Sequence, residues 1–140
     1  MRLLLATPVF LWCISADARL SPEGRDGIRN PGNAVCLSVV SVWEAMMKYS
    51  IGKLPLPQPP EHYLPLQRAQ HHMASVPLDE ARVCHLAPLP AVHRDPFDRM
   101  VVGPAIAPTL TMVTVDPVFE AYPAPILGRT FYEAADVTSN

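Results

Sequence analysis

Four acids stand where a strand would hand over to a helix. They are Glu44 in SVVSVWEAMMK, Asp95 and Asp98 in HRDPFDRM, and Asp116 in TVDPVF. Carboxylates gathered at one edge of a sheet repel each other unless a cation neutralises them. Mg²⁺ or Mn²⁺ is the natural choice, because hard cations take oxygen ligands. A site of that kind handles phosphates, with the metal polarising a phosphoryl oxygen and preparing a water for attack. Each acid also has a plainer reading. Glu44 lies three residues after Ser41, as in a capping box, and four before Lys48, as in an exposed helix pair. Asp95 and Asp98 surround Pro96 and Asp116 precedes Pro117, as well-capped helix starts do without any function.

The elements that would position these acids alternate between strand and helix. Arg2–Ala6 is a short apolar run suited to a buried strand. Thr7-Pro8 then reads as a helix start, with Thr7 as N-cap and Pro8 in the first turn. Ser21-Pro22 opens a second helix, which Asn30-Pro31-Gly32-Asn33 stops. Ala34–Ser38 is a second buried strand, and VVSVWEAMMKYS is the helix after it. Val39, Val42, Trp43, Met46 and Met47 lie on one face of that helix, the expected core face, with Glu44 and Lys48 on another. LPLPQPP is an extended loop, and 61–70 is a helix bent or interrupted near Pro65. Ala74–Leu78 is a third strand, Asp79 caps a helix to about Leu86, and Asp95-Pro96 opens another. Thr111–Val115 is a fourth strand, Asp116-Pro117 opens a short helix, and Ala124–Leu127 completes the set. Such alternation predicts an α/β fold, a central parallel sheet of four to five strands with helices on both faces. Sites in these folds lie beyond the carboxyl ends of the strands, where the acids fall.

Composition narrows the function classes. A 140-residue chain with about half its residues apolar fits one domain with a real core. A formal net charge of −2 gives no global basic field for nucleic acid, so any such contact is local or runs through metal ions. No apolar run is long enough to span a bilayer. Cys13, Cys36 and Cys84 are odd in number and widely spaced, which favours three buried, reduced thiols over a disulfide framework. The five histidines include no His-x-x-x-His pair and read as surface residues, and Trp12, Trp43 and Phe97 read as core. LLLATPVFLW near the start admits two readings, a secretory signal cleaved after Ala18 or a first strand running into a helix. The thiols and Pro8 weigh against secretion.

LLLATPVFLW, LSPEGRDGI, SVVSVWEAMMKYSIGKLPLP, HRDPFDRM and LTMVTVDPVFEAYPAPIL, in that order, resemble PIN-domain toxins of the VapC type. These are the ribonuclease halves of type II toxin–antitoxin pairs. The resemblance runs from about Arg2 to Leu127, which makes 1–127 a PIN domain and 128–140 a tail without clear period. It implies a PIN-like, Rossmann-like three-layer fold, with the opening stretch as first strand and first helix. It implies a cytoplasmic endoribonuclease that uses Mg²⁺ or Mn²⁺, cleaves RNA phosphodiesters, binds a cognate antitoxin and forms a homodimer. Matched onto the family, Glu44, Asp98 and Asp116 are its catalytic metal-holding acids, Asp95 an accompanying acid and Thr7 a supporting residue. Arg94, Arg99, Lys48 and Lys53 are candidates to grip RNA phosphates.

The sequence departs from that pattern in two places. The family carries an aspartate at the end of its first strand, in a context like L-L-D-T-H, and this chain has Leu5-Ala6-Thr7-Pro8. An alanine cannot bind a cation, so metal affinity and turnover should fall by orders of magnitude. The alternative reading is an inactive scaffold acting by antitoxin binding or dimerisation. Where the family has a continuous helix, RMVVGPAIAPTL places Gly103, Pro104 and Pro108. Each interior proline costs about 3 kcal/mol, so the helix should stop near Val102 or kink.

Overall fold

The computed structural model describes residues 2–84, 100–101, 110–114 and 126–127. Its core strand is β1, Arg2–Leu5. Leu3, Leu4 and Leu5 are fully buried, as a strand covered on both faces requires. β1 pairs in parallel with β2 (Ala34–Ser38) on one side and β4 (Thr111–Val113) on the other. β3 (Ala74–Val76) adds to β2 and β5 (Ile126–Leu127) to β4, both parallel. The order is β3-β2-β1-β4-β5, five strands in one parallel sheet, as the alternating pattern predicted. The progression of strands reverses between β1 and β4, and above such a reversal a crevice opens at the carboxyl edge.

The helices follow from local chemistry. α1 spans Thr7–Ser15 and buries Val9, Phe10 and Cys13. Its N-cap is Ala6, one residue earlier than expected. The Ala6 carbonyl accepts from Phe10 N–H at 3.1 Å, closing the first turn, while the Thr7 hydroxyl is drawn away into the interior. α2 (Pro22–Arg29) starts as read, with Ser21 Oγ accepting from Gly24 N–H at 2.9 Å. α3 is Val39–Ser50. α4 (Pro60–Gln70) packs on α3 and runs through Pro65 as one helix, so of the two expectations, bent or interrupted, the interruption does not occur. α5 is Glu80–Cys84.

The buried face of α3 differs from the expected one. Val40, Ser41, Glu44 and Ala45 point inward, while Val39, Trp43, Met46 and Met47 are exposed. The two stripes lie on nearly opposite faces of the helix, about half a revolution apart, and of the expected stripe Val42 is partly buried against the core. The orientation is set by the hydrogen bonds that Ser41 and Glu44 make with Thr7 of α1. Trp12, also expected in the core, is half-buried at its edge, with the Arg19 guanidinium 4.8 Å from the ring centroid. Cys13 and Cys36 are buried and Cys84 is exposed, which corrects the expectation of three buried thiols; all three are free. Among the described residues no helix is long and apolar enough to cross a membrane.

Candidate functional site

The β1–α1 and β2–α3 junctions meet at the carboxyl edge of the sheet. Ser38 ends β2 and caps α3, its Oγ accepting from Val40 N–H at 3.1 Å. That leaves Ser41 inside the helix, so the Ser41–Glu44 capping box does not form. One turn further on, Glu44 is buried at 4% exposure, so the expected pair with Lys48 forms on a buried carboxylate and not an exposed one. Thr7, at the first position of α1, reaches across from the other junction. Its hydroxyl donates to Glu44 Oε1 at 2.8 Å and lies 2.9 Å from Ser41 Oγ. A hydroxyl carries a single proton and an ionised carboxylate only accepts, so Ser41 donates to Thr7 and Thr7 to Glu44. Lys48 closes the other side, with Nζ 2.7 Å from Glu44 Oε2.

Ala6 sits directly before this cluster. It is 3% exposed, and its N–H donates to Val113 O at 2.9 Å, tying the end of β1 to β4. The position is therefore interior and close-held, at the end of the strand where the resemblance calls for an acid. In the sequence Ser41 reads only as a cap. Its signal as a site neighbour was its spacing, since residues three apart on a helix share a face. Asp95, Asp98, Asp116, Arg94, Arg99, Phe97, Gly103, Pro104 and Pro108 lie outside the described residues.

Beside the cluster runs a groove of about 480 Å³. Thr7, Trp12, Lys48, Lys53, Leu54 and Tyr63 lie on its walls, so the two lysines and the buried threonine face one space. At its rim Arg19 pairs with Asp17 at 2.8 Å, and the guanidinium hydrogen bond holds that carboxyl below its ordinary range. A second cavity, about 610 Å³, lies at the other end of the sheet beside Arg29, Asn33, His71 and His72, away from the junctions.

The described part of the site does not make a divalent-cation site as it is held. Ala6 brings no oxygen, both oxygens of Glu44 are engaged, and Lys48 already balances its charge. No group of three His, Cys, Asp or Glu residues converges among the described residues.

No family model matches the sequence. Over 72 residues, 51% of this chain, it is 32% identical to ribonuclease VapC16 of Mycobacterium tuberculosis. That match spans about half the length of the relative. Among solved structures, a chain of the Rickettsia felis VapBC2 complex bound to a promoter DNA fragment superposes with a TM-score of 0.69. It covers 92% of this chain and 99% of that one at 15% identity. A chain of the DNA-bound VapBC complex of Salmonella typhimurium gives 0.64, covering 91% and 98% at 21% identity. At those identities the likeness is one of fold. The fold is thus α/β of the PIN-domain class. The named proteins it is similar to are a VapC ribonuclease, over half its length, and chains of two VapBC complexes, in fold.

Proposed function

We propose that this chain is the toxin of a toxin–antitoxin pair, a VapC-type endoribonuclease weakened at one ligand position. The observation that carries the reading is the buried Thr7–Ser41–Glu44 cluster at the carboxyl edge of a parallel sheet of this fold. The ribonuclease relative supports the activity, and the VapBC complexes support an antitoxin as partner. In this reading Glu44, Asp98 and Asp116, with Asp95 in support, are the acids that Mg²⁺ or Mn²⁺ would meet. RNA is the substrate, Lys53, Arg94 and Arg99 are its phosphate contacts, with Lys48 a fourth when it leaves its pair with Glu44, and the protein works in the cytoplasm as a homodimer. Ala6 lowers turnover because it removes both a charge and an oxygen from that set.

A second reading is favoured by the same alanine and by the Lys48–Glu44 pair: a scaffold that binds its antitoxin without cutting RNA. One paired experiment separates the two. RNA cleavage is measured with Mg²⁺ and with Mn²⁺ for the native chain and its Ala6→Asp variant. Each protein is also tested for capture of a small protein encoded beside it. Cleavage by the variant, with the native chain lower by about a hundredfold or more, supports the weakened nuclease. Capture without cleavage by either folded protein supports the scaffold. Failure of both rejects the toxin–antitoxin reading.

A further inference from the structure

Lys48 has more to do than a surface lysine. Its side chain is 44% exposed, yet its ammonium ends 2.7 Å from a carboxylate oxygen whose side chain is 5% exposed. The carbon stem crosses from the groove wall into the junction, and the charge is delivered inward. A lone buried carboxylate needs a counter-charge, because desolvating it unpaired is expensive. In the described cluster the count is one negative group, Glu44, and one positive, Lys48. Thr7 fills the remaining demand at Oε1. The cluster is complete without any other cation.

We propose that Lys48 takes the place of a divalent cation at Glu44 in this chain. The ammonium neutralises the carboxylate and occupies its Oε2, so that among the described residues no excess negative charge remains at Glu44 to attract Mg²⁺ or Mn²⁺. The lysine stem is long, flexible and open to the groove, so the ammonium can leave without unfolding the helix. What binds or displaces Lys48 therefore sets whether Glu44 is available. The inference rests on reading this pocket as the PIN-domain site. Its readout is cation binding, not RNA cleavage, so the two can fail separately.

The test uses Mn²⁺ itself, followed by titration calorimetry and by the thermal unfolding midpoint, on the native chain, Lys48→Gln, Glu44→Gln and the double variant. The native chain should show no saturable Mn²⁺ binding in the low millimolar range. Lys48→Gln should bind Mn²⁺ at least about tenfold tighter than the native chain and unfold at a higher temperature when Mn²⁺ is present. The double variant, which removes the buried charge together with its partner, should lose that response. Saturable binding to the native chain that Glu44→Gln abolishes would overturn the proposal. So would equal binding by Lys48→Gln and the double variant, since the ion would then sit elsewhere. If Lys48→Gln folds only with Mn²⁺, the ion has replaced the ammonium, as proposed. If it fails to fold even with Mn²⁺, the ion cannot replace it and the proposal falls.

Discussion

Placing an acid at position 6 should make the protein less stable alone and more stable with a cation. Ala6 is the N-cap of α1, in extended backbone at φ −65° and ψ 152°, with no side-chain cap. An aspartate there can accept from the Val9 N–H but not from position 8, where proline has none. Capping of this kind contributes about 1 kcal/mol. Against it stands the new charge in an interior that already holds Glu44. Two carboxylates about 6 Å apart at an effective dielectric of about 20 repel by about 3 kcal/mol. Lys48 can balance one of them, so the Ala6→Asp variant should be destabilised by about 1–2 kcal/mol without divalent ions. With Mn²⁺ the sign should reverse, because the excess charge is then what the ion neutralises. Urea unfolding with and without Mn²⁺ measures both halves. A variant more stable than the native chain without the ion, and indifferent to it, would show that position 6 is a helix cap and nothing more.

Other perturbations probe the same junction and its surroundings. Thr7→Val keeps the shape but removes the hydroxyl joining Ser41 to Glu44, leaving buried polar groups unmatched; it should cost about 1–3 kcal/mol in urea unfolding. A loss below about 0.5 kcal/mol would mean the bridge contributes nothing to the fold. Met47→Lys should change stability by less than about 0.5 kcal/mol, since Met47 is 48% exposed. A core methionine would lose about 2–5 kcal/mol on truncation, so a loss of that size would refute the rotated placement of α3. Burial pushes the thiols of Cys13 and Cys36 up from their ordinary range, which lowers the thiolate fraction at pH 8. A disulfide reagent at that pH should titrate Cys84 first, with Cys13 and Cys36 following only as the protein opens. Three equal rates would contradict the burial.

What could be read in the residues depended on which physical signal carried it. β2 is bounded by turn residues on one side and by Ser38 on the other, and its limits match the reading. Ser21-Pro22 announced α2 because cap and first-turn proline act within four residues. The α3 face was misread because periodicity reports an apolar stripe and not what the stripe faces. Trp43, Met46 and Met47 form the more apolar stripe, yet the buried one holds a serine and a glutamate. Only a partner 34 to 37 residues away, Thr7, explains that choice, and no local pattern encodes a contact at that distance. The same long-range bond goes with an N-cap at Ala6 and not at Thr7. Two competing uses of one hydroxyl, capping α1 or holding Glu44, look alike in the sequence, and the interior won.

The alanine at position 6 separates folding from chemistry. Three backbone features carry the β1–α1 junction without any side-chain acid. The Ala6 N–H is bonded to Val113 O, its carbonyl receives Phe10 N–H, and Pro8 fixes the dihedral of the first turn. The apolar environment that surrounds Leu3, Leu4 and Leu5 also favours an alanine over a charge at this position. An alanine here instead of an acid therefore forgoes at most a cap of about 1 kcal/mol and avoids a repulsion of about 3 kcal/mol. The cluster beside it is electrically closed by Lys48 and sterically held by Thr7 and Ser41. An alanine at this position brings no charge into the interior, and the parallel sheet and the buried Glu44 are built around it.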